Sequence, residues 1–153
     1  MVLVSREDRH LRAVRDRLFD GATTIDAEWV RRLTADPTGV DRLESFGAKF
    51  GRMQDTVMDK LLPTLLRASG EVPGTAVDNL NRAARLGWLD DPDAWIAMRL
   101  LRDRLVHDYM IDPEEMAAAL RSARAFTDTL HTTWSRMEAY AREHLGLRKG
   151  LDG

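Results

Sequence analysis

From Glu114 to Leu145 the chain contains neither proline nor glycine, while Asp112-Pro113 stands just before this stretch and Gly146 just after it. An aspartate cap, a proline at the first helical position and a glycine past the far end mark one uninterrupted helix. At 1.5 Å per residue it is roughly 50 Å long. Glu115 is placed to complete a capping box, and Met116, Leu120, Ala123, Leu130, Trp134, Met137 and Leu145 form the apolar stripe.

Helical spacing recurs through the rest of the chain. Leu11, Val14 and Leu18 mark a first helix after Ser5, a good N-cap, and a short second helix is expected from Ile25 to Leu33. Asp36-Pro37-Thr38-Gly39 reads as the turn that ends it. Leu43, Phe46, Phe50, Met53, Val57 and Leu61 then follow steps of three and four, and Pro63 is expected to kink or end that helix. Residues 68–74 read as a loop, followed by a helix from about Thr75 to Leu86 with Gly87 as its C′ residue. Asp91-Pro92 opens a helix running through Trp95 and Met98 towards His107. No stretch alternates apolar and polar residues as a half-buried strand does, and β-branched residues are sparse. The expected fold is all-α, a bundle of about five to six helices with a long C-terminal helix. Residues 1–146 are expected to form one domain, and 147–153 a loose tail.

Composition narrows the class. With 153 residues, 44% hydrophobic and 31% charged, the chain is globular and long enough to bury a core unaided. It has no cysteine, which removes disulfides and cysteine-based zinc sites. Apolar runs fall far short of the roughly 20 residues a bilayer requires. Met1-Val2-Leu3-Val4 passes directly into Ser5-Arg6-Glu7-Asp8, so no signal-peptide core and a cytoplasmic location are expected. A net charge of −2 argues against a protein that coats nucleic acid non-specifically, though not against a local basic pocket. All but Lys49, Lys60 and Lys149 of the 23 basic residues are arginines, the side chain suited to bidentate recognition of carboxylates and phosphates.

The segment Arg102-Asp103-Arg104-Leu105-Val106-His107-Asp108-Tyr109 is where chemistry concentrates. On an ideal helix Trp95, Met98, Leu105 and Tyr109 share a face, with Arg102 in its middle. A guanidinium cannot shed its proton, so a covered arginine needs an anionic partner. His107 lies about 140° away, near Ile96 and Leu100, so the helix is apolar on two sides. That suits the centre of a bundle or a subunit interface. Taken alone, the residues also allow a plain structural account: Arg102 paired with a covered carboxylate, His107 at the surface and Tyr109 in the core.

The pattern resembles the signature of the HEPN domains: an arginine, a polar residue, three variable positions and a histidine. The version here, with Tyr109 two residues after His107, is that of HepT-type toxins, the partners of minimal nucleotidyltransferase antitoxins. The resemblance covers about residues 41–145, with Gly87-Trp88-Leu89 leading into the motif helix and a long helix after it. It implies a metal-independent endoribonuclease that uses no cofactor and works on RNA as a homodimer. It further implies catalytic roles for Arg102 and His107, Asp103 as the polar motif position, and Tyr109 as the residue that the antitoxin modifies with AMP. Asparagine is also common at the Asp103 position; an aspartate can hold the guanidinium but opposes a phosphate. RNA cleavage without a metal needs a base for the 2′-hydroxyl, an acid for the leaving 5′-oxygen and positive charge on the phosphorane. One motif supplies one histidine, so a twofold dimer would bring the second. Two other readings stay open: a non-catalytic subunit that presents substrate to a nucleotidyltransferase, and a helical interaction protein with a degenerate motif.

Elsewhere, Asp55, Asp59 and Lys60 lie on one helix and could form a site, but a solvated charged face is the expected reading; Asp90, Asp91 and Asp93 are expected to serve as cap and turn residues. His10, His131 and His144 have no partners at metal-ligand spacing and are expected to be structural or exposed. Trp29, Trp88, Trp95 and Trp134 are read as core anchors.

Overall fold

The computed structural model describes residues 2–107 and 112–146, with backbone alone at Val2, Val106 and His107. Among the described residues seven α-helices follow one another: α1 (Val2–Phe19), α2 (Ala27–Thr34), α3 (Pro37–Asp55), α4 (Leu62–Ala68), α5 (Ala76–Arg85), α6 (Pro92–His107) and α7 (Pro113–Leu145). A π-helical segment, Thr56–Leu61, joins α3 to α4 without leaving helical backbone angles, so the bundle consists of six rods. Among the described residues there is no strand, and no helix is long and apolar enough to cross a membrane. The loose tail expected at 147–153 lies outside the described residues, as do Asp108 and Tyr109.

The long helix is the common wall of the bundle, packing against α1, α2, α3, α4 and α6. Its stripe is as read from the sequence: Met116, Leu120, Ala123, Leu130, Trp134 and Met137 are buried, and Leu145 is partly so. Gly146 closes it in a left-handed conformation, φ 68°, where glycine carries no Cβ penalty. Its start differs in one detail. Asp112 caps the Glu114 amide at 3.0 Å, but Glu115 turns away to Arg104, also at 3.0 Å, instead of completing a capping box.

Three further boundaries depart from the expected ones. The first helix runs from Val2, so Ser5 lies within it; Val4 is buried and extends the stripe one turn before Leu11. Asp36-Pro37 does end α2, but it opens α3 at once, with Asp36 accepting from the Thr38 amide. Pro63 does not stop its helix, which continues to Ala68. A proline ring collides with the carbonyl four residues back and offers no N–H, and the widened π turn just ahead of it relieves both problems. The same turn shifts the apolar stripe: Leu62, not Leu61, is fully buried, because the Leu62 amide bonds Val57 O five residues back.

At the end of α5, Trp88 N–H bonds Ala83 O and Gly87 N–H bonds Ala84 O, with Gly87 at φ 82°: a Schellman motif. It delivers Trp88 into the core and turns the chain towards α6. There Asp91 accepts from the Ala94 amide and Pro92 occupies the first turn, as expected.

A candidate site between α1, α3 and α6

The motif helix α6 buries Trp95 and Leu105 and keeps Met98 partly covered, so three residues of the face read from the sequence turn inward, while Tyr109 lies outside the described residues. Trp95 meets Phe126 of α7 edge to face at 5.0 Å. Arg102 lies at the margin of that face, its side chain 24% exposed. On the other side of α6, Ile96 is partly buried and Leu100 stands 70% exposed.

Arg102 reaches across to α3. Its Nη1 donates to Gly51 O at 3.2 Å and to Asp55 Oδ1 in a closer contact. Its Nε lies 3.8 Å from Asp103 Oδ1. One turn earlier, Arg99 Nη2 donates to Asp59 Oδ2 at 2.7 Å and lies 3.5 Å from Asp55 Oδ1. The result is an alternating ladder along the seam: Asp59, Arg99, Asp55, Arg102, Asp103. Local structure builds it from two ordinary spacings. Arg99 and Arg102 are three apart on α6, and Asp55 and Asp59 four apart into the π segment, spacings that put each pair on one side of its helix.

Beside this seam opens a groove of about 610 Å³. Gly47, Ala48 and Gly51 give it a floor of small side chains on α3. Arg52, Lys60 and Arg102 line it together with Glu7, Asp55 and Asp103, three cations against three carboxylates. Glu7, on the α1 side, has a buried Oε2 with no hydrogen-bond partner among the described residues. Chemically the groove offers guanidinium and ammonium donors to an anion, but at formal neutrality an entering anion must displace a carboxylate or its counter-ion.

Of the residues singled out in the sequence, Arg102 and Asp103 both line this groove. His107 is the last described residue of the same helix; its side chain, like all of Tyr109, lies outside the described residues. Asp55 and Asp59 keep the solvent exposure expected of a charged face, 44% and 49%, and are at the same time the partners of Arg102 and Arg99. Their signal was present as complementary charge spacing on two helices, but nothing in one sequence says which two helices pack together. Arg52 and Glu7 carried no such signal. Among the histidines, His10 is exposed, His144 stacks on Tyr140 at 4.2 Å, and His131 is paired with a buried aspartate.

No family model, no curated protein and no solved structure matches this chain. The likeness to the HEPN signature therefore rests on the motif itself and its helical setting.

Proposed function

We propose that the chain is a metal-independent endoribonuclease, the toxin of a toxin–antitoxin pair, with Arg102 and His107 as its reacting groups. The observation that carries the reading is the position of Arg102. Its Nη1 is taken up by Gly51 O and Asp55, while the three N–H donors on Nε and Nη2 take part in neither bond, and Arg52 and Lys60 line the same groove. A phosphodiester laid there meets three cations, and His107 belongs to the same helix as Arg102.

In this reading the 2′-oxygen of RNA attacks the adjacent phosphorus and loses its proton to a histidine. The phosphorus–5′-oxygen bond breaks, and the leaving oxygen takes a proton from an imidazolium. A product with a 2′,3′-cyclic phosphate results, and the Arg102 fork stabilises the charge gathering on the phosphorane oxygens. A homodimer pairing two copies of α6 supplies the second histidine, and Leu100 is an exposed apolar residue on α6 available to such a contact. A minimal nucleotidyltransferase antitoxin, attaching AMP to Tyr109, would place a phosphodiester of its own in competition for Arg102.

One observation favours a second reading, in which the chain is a non-catalytic subunit that presents substrate to a nucleotidyltransferase. Arg102 already has Asp55 and Asp103 beside it, and that arrangement suits an arginine that fastens helices together. Incubation of the purified chain and of His107→Ala with RNA in EDTA separates the two. Cleavage by the wild type alone, leaving cyclic or 3′-phosphate ends, supports the ribonuclease; no cleavage by either favours the presenting subunit.

A further inference from the structure

The ladder holds a carboxylate between two arginines. Asp55 Oδ1 accepts from Arg102 Nη1 and lies 3.5 Å from Arg99 Nη2. Arg102 faces the groove; Arg99 does not line it. The Asp55 side chain is 44% exposed, so it is free to change partners without crossing the core.

We infer that Asp55 is a carboxylate gate on the groove: an RNA phosphate reaches Arg102 by taking the place of Asp55, which transfers to Arg99. The inference rests on the reading of Arg102 as an RNA-binding group, and it goes beyond that reading by assigning Asp55 and Arg99 a part in it. The exchange conserves ion pairs. A phosphate oxygen replaces Asp55 Oδ1 on the guanidinium while Gly51 O keeps the fork oriented, and the displaced carboxylate closes the remaining gap to Arg99. Neither charge is left without a counter-ion, which is the costly outcome in a partly covered site. Arg99 retains Asp59 at 2.7 Å throughout, so it takes up Asp55 as a second partner of one planar fork. Asp55 is thus a positioning residue: it sets the availability of Arg102 without touching the reacting atoms.

Arg99 makes the inference testable, because it stands outside the groove yet controls binding within it. The probe is a fluorescein-labelled, 2′-O-methylated single-stranded RNA, which cannot be cleaved, titrated with the full chain and followed by anisotropy. Asp55→Asn removes the competitor and should tighten binding about fivefold at low salt, the upper end of what an exposed ion pair is worth. Arg99→Gln strands Asp55 on Arg102 and should weaken binding by a similar factor. Arg102→Gln should abolish the difference between Asp55→Asn and its parent. Thermal melts of each variant show whether the helices still pack, and Asp55→Glu, which keeps the charge, should bind as the wild type does. Tighter binding by Asp55→Asn together with weaker binding by Arg99→Gln establishes the gate. Unchanged or weaker binding by a folded Asp55→Asn, or no effect of Arg99→Gln, overturns it. A cleavage assay with unmodified RNA, run alongside, reads the ribonuclease separately: the gate can stand in a chain that binds but does not cut, and it can fall in one that cuts.

Discussion

Asp8, on α1, is 1% exposed, and its Oδ2 lies 2.8 Å from Nδ1 of His131 on α7. Arg12, one turn further along α1, reaches the same oxygen at 3.0 Å, while Oδ1 is buried with no partner among the described residues. A carboxylate so placed ties two helices together at a specific register, in the interior of their seam. Truncating it in Asp8→Ala removes the acceptor for both donors, but these are about two-fifths exposed and regain water. The loss in urea-unfolding stability should be about 1–2 kcal/mol, below what a fully covered pair costs when broken. A change under about 0.5 kcal/mol, the range of neutral surface substitutions, would show that the pair does not hold the seam.

Two glycines of α3 should respond in opposite ways. A Cβ on Gly39 would lie 2.0 Å from Leu33 O, a backbone atom at the α2–α3 corner that cannot step aside. Gly39→Ala should therefore cost about 2 kcal/mol or more. On Gly51 the nearest atom would be Arg102 Cδ at 3.6 Å, an ordinary contact. Gly51→Ala should be neutral or should stabilise by up to about 1 kcal/mol, through helix propensity. Paired thermal melts check both, and equal effects at the two positions would contradict this geometry.

The start of α5 should soften in acid. Asp78 lies below its ordinary value of 3.8, held there first by the Thr75 hydroxyl, then by the Thr75 backbone amide, in a reciprocal capping box. A depressed carboxyl contributes stability that is complete above its unfolded value and is lost as pH falls through its folded one. The window thus lies below the usual aspartate range. Protection of the amides in the first turn of α5, measured against their intrinsic exchange rates, should fall there, and in Asp78→Asn the same amides should lose that acid dependence. An NMR titration placing Asp78 at or above 3.8 would remove the basis for this expectation.

For the proposed ribonuclease, His107→Ala should lower the cleavage rate about 10²–10⁴-fold, the worth of a positioned acid or base. Arg102→Ala should cost on the order of 10²–10³, by analogy with one lost oxyanion donor. Its effect on folding should stay within about 1 kcal/mol, because the pair it makes with Asp55 is partly exposed. Single-turnover kinetics beside equilibrium unfolding separate the two effects. An Arg102→Ala protein that unfolds readily but cleaves at the wild-type rate would make Arg102 a fastener and no more.

The helices were legible where local chemistry alone determines them. Asp112-Pro113, Asp91-Pro92, Thr75 and Gly87 each act within a turn of their own position, and the structure uses each as a helix boundary. Ser5 and Pro63 misled because a neighbour overrules them: a buried Val4 in one case, a π turn in the other. Arg102 was recognisable as an anomaly on its helix, and its requirement for an anion follows from charge alone. The identity of that anion does not, since Asp55 stands 47 positions away and only the packing of α3 against α6 brings it near.

The π segment has a consequence for how this chain tolerates changes in length. Removing one residue from the middle of a helix normally rotates everything beyond it by about 100° and turns the buried face outward. Between Thr56 and Leu61 the helix holds one residue more than an α-helical path to Leu62 requires, since the bond there spans five residues. Deleting one position would let that bond span four, with Leu62, Leu65 and Leu66 still directed at the core. What would be lost instead is the alignment of Asp55 and Asp59 with Arg99 and Arg102. The spare residue thus serves the charged seam and the accommodation of Pro63, whose ring an unwidened turn would press against the carbonyl four residues back.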